Sequence, residues 1–370
     1  MDDRGDATVS GGCLARRAHG GPTAGGSSLL RAPEIIGCAR ACGGRRGGGW
    51  SLAQKLELPP PGPWRLWSTG TMDRRTFCTF TGGSLAALAS GLAFGAFEVA
   101  KPFTAKFAPH LGLLPTAPKG FLEQLQFAYD QGFRAWEENW LSRQKPEMQE
   151  KVGGFCKDKG MELGVAVIST GHGVKFYEPT KEGTEKVLKD MRAGVTMAKL
   201  TGQTHMTMIP GPRDDSLPRE KQIENSVDMM KRCCDIVEEQ GIILALEPLS
   251  HGVTGGPPLL RSFEDGHLLA KLVDRKSCKL LADFYHEGEI GNGKKLIENA
   301  EKCWDQISYI QYGASPGRKE PGTGKLDYVA LTKWLRKKEF TGVIGMEHGC
   351  SKSGEEGLEA LLSAYRRIDA

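Results

Sequence analysis

The sequence predicts an α/β protein, a single (β/α)8 TIM barrel over residues 106–370 that follows a disordered N-terminal extension and a signal-like segment. Eight short apolar runs alternate with eight longer amphipathic stretches after residue 106, which is typical of a parallel α/β protein. Several of these runs end in a carboxylate or an amide, as strand ends at the functional face of a barrel often do. The length also fits the roughly 250 residues typical of this fold. A doubly wound open sheet is the alternative.

The first two segments of the chain differ in composition from the rest. Residues 1–71 are rich in Gly, Arg, Pro and Ser without apolar periodicity, so we expect disorder there. In the segment 72–105, Arg74 and Arg75 precede a stretch of Ala, Leu and Gly that resembles a twin-arginine export leader. This predicts a periplasmic or extracytoplasmic location, with a cytoplasmic one as the alternative, and favours Met72 as the true start.

The apolar part of that segment has a simpler interpretation as an apolar helix or a membrane anchor. Residues 85–97 are apolar, but this run is shorter than the roughly 20 residues that a membrane-spanning helix needs. We therefore expect contact with a membrane only through the export signal.

The strand predictions rest on short apolar runs bounded by Gly, Pro or charged residues. One run, Ile-Ile-Leu-Ala-Leu, leads to Glu247 and Pro248 and fits a strand that is buried on both faces. The eight predicted strands are 107–111, 133–138, 163–168, 205–209, 242–249, 279–283, 308–311 and 343–347.

The helix predictions rest on amphipathic periodicity and on signals at the helix ends. Pro146 stands where a helix begins and Gly160 where it ends. The predicted helices are 119–131, 146–160, 180–200, 218–240, 262–274, 292–305, 327–338 and 354–366. Two loops rich in Gly and Pro, 249–260 and 313–325, follow strands that end in polar residues. Such loops are expected where the backbone approaches a ligand.

Four predicted strand ends carry oxygen ligands, namely Glu247, Asp283, Gln311 and Glu347. In a closed parallel barrel these ends converge at one face. Two glutamates, an aspartate and an amide suit a divalent cation such as Mg, Mn or Co. Any one of these carboxylates alone fits a helix cap or a solvated charge equally well, so the prediction rests on all four together.

Charge and cysteine usage exclude some classes of function. The net charge is +4, and much of the surplus lies in the arginines of the first 75 residues. The nearly neutral body lacks the basic face that nucleic-acid binding requires, so we expect no nucleic-acid partner. The ten cysteines have neither zinc-like spacing nor a C-x-x-C pair in the body, which indicates reduced thiols.

Four motifs together resemble the hydroxypyruvate isomerase branch of the xylose isomerase-like TIM barrels. They are L-A-L-E-P-L at Glu247, D-F-Y-H at 283–286, I-Q with P-G-R-K-E-P-G-T-G-K-L-D-Y within 310–328, and F-T-G-V-I-G-M-E at 340–347. The P-G-R-x-E-P-G-T-G part is the most specific. The resemblance runs from about residue 107 to the C-terminus. It implies a metal held by Glu247, Asp283, Gln311 and Glu347.

The resemblance also implies a reaction on a small sugar or hydroxy-carbonyl substrate. This reaction is isomerisation of an α-hydroxy carbonyl compound, or epimerisation beside a carbonyl, by proton transfer through an enediolate that the metal stabilises. Glu247 and Glu347 then serve as acid and base. His286 and Arg318 are candidates for binding substrate oxygens. His110 and Glu137 end early strands and can face the pocket, although a core or surface role fits each as well.

The sequence departs from this family pattern at two positions near Gln311. Tyr309 and Ala314 stand where the family carries His and Asp, so we expect substrate contacts different from those to hydroxypyruvate. Two other functions stay open. One is a non-catalytic exported sugar-binding barrel. The other is a metal hydrolase of the apurinic-site endonuclease type, which would need more histidine ligands than strand ends offer here. A homo-oligomer is an open alternative to a monomer.

Overall fold

A computed structural model describes residues 100–171, 173–253 and 255–370, all of which belong to one compact unit. The predicted extension 1–71 and most of the signal-like segment 72–105 lie outside the described residues, so the export signal stays a prediction. Within the described ranges, every helix is too short or too polar to cross a membrane.

Nine strand segments form the centre of the described fold, and all pairings between them are parallel. Seven belong to one sheet in the order β1-β9-β8-β7-β6-β5-β4, and β2 pairs with β3. The segments are β1 (Lys106–Ala108), β2 (Ala135–Trp136), β3 (Glu162–Leu163), β4 (Ala166–Ser169), β5 (His205–Met208), β6 (Ile243–Leu246), β7 (Cys278–Asp283), β8 (Ile307–Tyr312) and β9 (Val343–Met346).

Single backbone hydrogen bonds place β2 between β1 and β4. The N–H of Glu137 donates to the carbonyl of Pro109 at 3.0 Å, and the N–H of Val167 donates to the carbonyl of Asn139 at 2.9 Å. Because β3 and β4 are two parts of the third predicted strand, interrupted at 164–165, the ring has eight strand positions. The predicted TIM-barrel fold is thus confirmed.

In the described part of the chain, nine α-helices accompany the strands, and several of their ends carry the expected signals. The Thr180 hydroxyl accepts from the N–H of Gly183, Ser262 forms a reciprocal cap with Asp265, and Gly160 and Gly202 end helices in the left-handed conformation. The helices are α1 (Phe121–Asp130), α2 (Pro146–Lys159), α3 (Lys181–Thr201), α4 (Arg219–Val237), α5 (Phe263–Val273), α6 (Phe284–Glu287), α7 (Leu296–Cys303), α8 (Tyr328–Lys337) and α9 (Gly354–Ile368). The short α6 was not predicted.

Side chains alternate along each strand between the helix layer and the barrel interior. A large core cluster lies between sheet and helices. A smaller cluster fills the barrel interior and consists of Ala108, Ala135, Val165, Ala245, Leu281, Tyr309 and Val343. Two residues further along their strands, the same inward side presents Glu137, Glu247, Asp283 and Gln311, and Glu347 lies four residues after Val343. Strand periodicity therefore directs these polar side chains to the C-terminal face of the barrel.

Candidate active site

Asp283 ends β7 and begins α6. Its Oδ1 accepts from the N–H of Tyr285 at 2.8 Å and caps the helix. The turn that follows brings His286 back over the strand ends, where its Nε2 lies 3.5 Å from Asp283 Oδ2 and 3.7 Å from Glu247 Oε1. Ligand atoms of these three buried residues lie within 4.8 Å of one another, close enough for one cation to bridge them.

Hydrogen bonds from Ser250 determine which nitrogen of His286 carries the proton. The Ser250 N–H lies 3.2 Å and its Oγ 2.8 Å from His286 Nδ1. A backbone N–H can only donate, so Nδ1 accepts and Nε2 carries the hydrogen. Burial lowers the pKa of His286 well below its usual range, and the charge of Arg318 lowers it further. His286 is therefore a neutral donor that points Nε2–H at the carboxylates, which suits a substrate contact better than a metal ligand.

Arg318 reaches the site from the loop after β8. Its φ of 49° lies in the left-handed region, a strained conformation for a non-glycine residue. Its Nη2 lies 3.2 Å from Asp283 Oδ2 and 3.0 Å from Glu347 Oε1, and its Nε donates to the Glu347 carbonyl at 3.0 Å. Burial opposes the charge of Arg318, but the carboxylates of Glu347 and Asp283 raise its pKa. The guanidinium thus lies between two predicted metal ligands.

The carboxylates crowd one another. Burial raises the pKa of Glu247 well above its usual range, and the charges of Glu347 and Asp283 raise it further. Burial also raises the pKa of Asp283 to about 7, although Arg318 opposes the shift. Such shifts mean that ionised carboxylates are costly here unless a positive charge compensates them.

Two buried oxygen atoms in the site test whether a cation fits. Gln311 Oε1 and Glu347 Oε2 have no hydrogen-bond partner among the described residues. Buried polar atoms are nearly always satisfied, so these two oxygens indicate a missing partner. Together with Glu247 and Asp283 they form an oxygen-rich donor set of the kind that divalent cations bind. The residues present therefore fit a divalent cation.

Glu137 lies deeper than predicted. It is 1% exposed, its Oε2 accepts from the Tyr309 hydroxyl at 2.7 Å, and its Oε1 accepts from Gln311 Nε2 at 3.1 Å. Burial raises its pKa well above the usual range, with Glu347 adding to the shift. Glu137 is absent from the lining of the neighbouring rim cavity, and its burial fits the core role that the sequence left open beside a substrate contact.

That cavity of about 500 Å³ opens beside the carboxylates, at the ends of β1, β2 and β9. Its lining includes His110, Glu138, Asn139, Trp140, Arg318 and Glu347. The ring nitrogens of His110 face the carbonyls of Leu111 and His348 at 3.0 and 3.2 Å. His110 therefore lines this cavity, and its ring nitrogens face the rim backbone.

Sequence reasoning missed three residues of the site. Asn139 Nδ2 donates to Glu347 Oε1 at 3.3 Å, Ser250 orients His286, and Tyr309 bonds to Glu137. Tyr309 departs from the family pattern, which is the available signal in the sequence for that residue. Nothing in the sequence around Asn139 pointed to a contact with Glu347, because 208 residues separate them.

Comparisons with known proteins agree with this architecture. The profile of the xylose isomerase-like TIM barrel family matches residues 125–368. Hydroxypyruvate isomerase of Escherichia coli (strain K12) is 26% identical over 193 residues, which cover 50% of this chain and 70% of the relative.

Two solved structures share the fold. One is the apo form of a 3-keto-D-glucoside 4-epimerase from E. coli, with a TM-score of 0.58, 18% identity and coverage of 71% of this chain and 98% of that chain. The other is an IOLI protein with a binding zinc atom, with a TM-score of 0.54, 15% identity and coverage of 71% and 96%.

Proposed function

Because this chain belongs to the xylose isomerase-like TIM barrel family, we propose that it is a metal-dependent isomerase or epimerase of a small hydroxy-carbonyl compound or sugar. The observation that carries the proposal is the convergence of Glu247, Asp283, Gln311 and Glu347 at the strand ends, where two of their oxygens are buried and have no hydrogen-bond partner in the described part of the chain. The names of the E. coli relative and the epimerase neighbour support the reaction class.

The four oxygen-bearing side chains Glu247, Asp283, Gln311 and Glu347 would hold the cation. Mg, Mn and Co suit this donor set, and the zinc of the IOLI structure supports a divalent ion in this fold. When bound, the cation supplies Lewis-acid polarisation of a substrate carbonyl or hydroxyl.

Two members of this set also provide the proton transfers. Glu247 follows β6 and Glu347 follows β9, and β7 and β8 lie between these strands in the sheet. The two carboxylates therefore approach a substrate from different sides, one to remove a proton beside the carbonyl and the other to return it. His286 Nε2–H and the Arg318 guanidinium donate to substrate oxygens and stabilise the charge that develops on them.

The rim cavity supports a substrate of sugar size. It extends from Glu347 and Arg318 to Trp140, whose side chain is 44% exposed. Arg143 covers the Trp140 ring at 3.8 Å. An exposed indole at the rim offers the apolar contact that a sugar ring needs beside its hydroxyl groups.

Hydrogen exchange with solvent tests the proposal directly. The protein, stripped of metal and then loaded with Mn²⁺, would be incubated in D₂O with hydroxypyruvate, short ketoses, ketohexoses and hydroxy-aldehydes. Proton NMR should show deuterium entering the carbon beside the carbonyl of at least one compound, and EDTA should abolish this. Binding of a sugar without exchange would instead indicate the non-catalytic barrel. If no compound of the panel shows either exchange or turnover, the proposal is refuted.

A further inference from the structure

A chain of hydrogen bonds runs through the barrel interior beneath the candidate metal site. The Tyr309 hydroxyl donates to Glu137 Oε2 at 2.7 Å. The other oxygen, Glu137 Oε1, accepts from Gln311 Nε2 at 3.1 Å. Glu137, Gln311 and Tyr309 are each at most 2% exposed. The chain joins strand positions that are far apart in sequence.

Each bond in this chain has one direction while Glu137 is ionised, the form that a cation at the strand ends favours. The Tyr309 hydroxyl then donates to one carboxylate oxygen. The other carboxylate oxygen also accepts, so the atom of Gln311 that faces it is the amide nitrogen. The amide oxygen is then turned away from Glu137, and it is the buried Oε1 that has no partner among the described residues. Without such a chain, a glutamine amide could present either its oxygen or its nitrogen to the site.

Two glycines make room for the chain. A Cβ atom at Gly345 would collide with Glu137 Oε2 and lie 2.7 Å from the carboxyl carbon. A Cβ atom at Gly164 would collide with the Tyr309 hydroxyl and lie 3.2 Å from its ring carbon Cζ. Both distances are too short for ordinary packing. The barrel backbone is therefore shaped around the Glu137 carboxylate and the Tyr309 ring.

We propose that Glu137 and Tyr309 are positioning residues that hold the Gln311 amide with its oxygen toward the cation. The inference rests on the proposed function, because it needs a cation at the four strand ends. Groups that orient a metal ligand from behind commonly change metal affinity by about 10- to 100-fold. Glu137 thus acts through Gln311 and does not touch the substrate.

Exchanging the side chains of Glu137 and Gln311 distinguishes a role in orienting the amide from a role in packing alone. In Glu137→Gln, Tyr309 donates to the new amide oxygen, and the new NH₂ group then faces Gln311. This turns the Gln311 oxygen away from the cation. In the double variant Glu137→Gln/Gln311→Glu, the same NH₂ group donates to a carboxylate whose second oxygen faces the cation. Every hydrogen bond is satisfied again, with donor and acceptor exchanged between positions 137 and 311, and the net charge equals that of the wild type.

The measurement is Mn²⁺ binding to the full chain, with free Mn²⁺ followed by EPR after metal removal. Glu137→Gln should weaken binding by about 10- to 100-fold, and the double variant should return to within about threefold of the wild type. Tyr309→Phe should weaken binding by about three- to tenfold. Its matched control is Tyr312→Phe on the same strand as Tyr309. This change removes a buried hydroxyl that is hydrogen-bonded to Thr332, and it should leave the affinity for Mn²⁺ unchanged.

The possible outcomes separate this inference from the proposed function. Wild-type affinity in Glu137→Gln, or no recovery in the double variant, would overturn the positioning role while leaving the metal site intact. If Glu137→Gln fails to fold in a thermal melt, the pair Tyr309→Phe and Tyr312→Phe decides, and equal affinities in that pair would overturn the role. Wild-type protein that takes up no Mn²⁺ would overturn the proposed metal site and this inference together.

Discussion

At the scale of single residues, the site is an unbalanced set of buried charges. Glu247 and Asp283 are almost fully buried, and Glu347 lies beside them. Arg318 contacts Asp283 and Glu347, but one guanidinium cannot neutralise three carboxylates. Since an uncompensated buried charge costs several kcal/mol, the remaining negative charge favours a divalent cation. The raised pKa values of Glu247 and Asp283 have a related cause, because burial and the charge of Glu347 both disfavour their ionised forms.

The two glutamates can be tested by removing charge while keeping shape. Glu247→Gln and Glu347→Gln should each lower turnover by about a hundredfold or more, the size of a general acid–base contribution. The check is kcat together with deuterium entry into the substrate. Each variant should lose exchange on at least one face of the carbon while keeping a cooperative melt. Full exchange and full turnover in either variant would reduce that residue to a spectator ligand.

Arg318 should affect substrate and metal in opposite ways. Arg318→Ala removes the positive charge from between Asp283 and Glu347, so the carboxylates should keep Mn²⁺ at least as tightly. KM should rise because a donor to substrate oxygens is lost. Arg318→Lys keeps the charge without the planar fork and serves as the control, with an intermediate KM. Loss of Mn²⁺ from the alanine variant would show that Arg318 supports the metal site itself.

The burial of His348 should make the stability of the fold depend on pH. It is 4% exposed, and burial lowers its pKa to about 4. Its Nε2 lies 2.7 Å from the Tyr365 hydroxyl. An unfolded histidine titrates near 6.5, so the unfolded chain binds a proton first as the pH falls. This contribution to stability is fully present above about pH 6.5 and is lost between about pH 6.5 and 4, by about 3 kcal/mol.

Urea unfolding in EDTA across that pH range measures the effect. His348→Gln removes the titrating ring, so its stability should fall less steeply than that of the wild type between pH 6.5 and 4. Parallel curves for the two proteins would contradict the prediction.

At the scale of elements, the strands could be predicted because alternation and strand ends are local properties. The predicted 205–209 and 343–347 are observed as His205–Met208 and Val343–Met346. The third strand is interrupted at 164–165, where Gly164 lies against Tyr309 from a distant strand, and such a contact leaves no local signal in the sequence. Helix α6 was missed because its four residues, Phe284–Glu287, are too few to show periodicity.

A glycine in β9 provides a test of packing between elements. In Gly345→Ala, the new methyl group would collide with the buried carboxylate of Glu137, and we expect a loss of about 1–3 kcal/mol from overpacking. Gly154→Ala is the control, because Gly154 is exposed in α2 and its Cβ would meet no atom within 4 Å. That variant should gain up to about 1 kcal/mol in helix propensity. If Gly345→Ala and Gly154→Ala have equal free energies of unfolding in urea, the packing argument is contradicted.

At the scale of the whole molecule, the sequence placed the ligand set at one face of a barrel but did not reveal what lies beneath it. The four strand ends could be recognised because each follows an apolar run. The partners of Glu137 could not, since Tyr309 and Gln311 lie 172 and 174 residues away along the chain. Such contacts depend on how the ring closes and leave no pattern in neighbouring residues.

Ring closure also decides which part of the chain is needed for folding. Every strand of the ring lies after residue 105, and β1 pairs directly with β9. The segment before β1 is anchored within the same unit, because Phe103 is buried, stacks on Phe133 at 4.7 Å and lies under the Arg366 guanidinium at 3.7 Å. Since these contacts need nothing before residue 100, a fragment of residues 100–370 should fold by itself.

That fragment should unfold in a single cooperative transition, with a melting temperature within a few degrees of the full chain's. Phe103→Ala in the fragment should lower this temperature, because a buried aromatic contributes about 3–5 kcal/mol. The checks are circular dichroism melts of the full chain, the fragment and this variant. An insoluble fragment, or one that melts without cooperativity, would mean that residues before 100 contribute to the folded barrel. A fragment that melts normally and binds Mn²⁺ as the full chain does would place both the fold and the candidate site within residues 100–370.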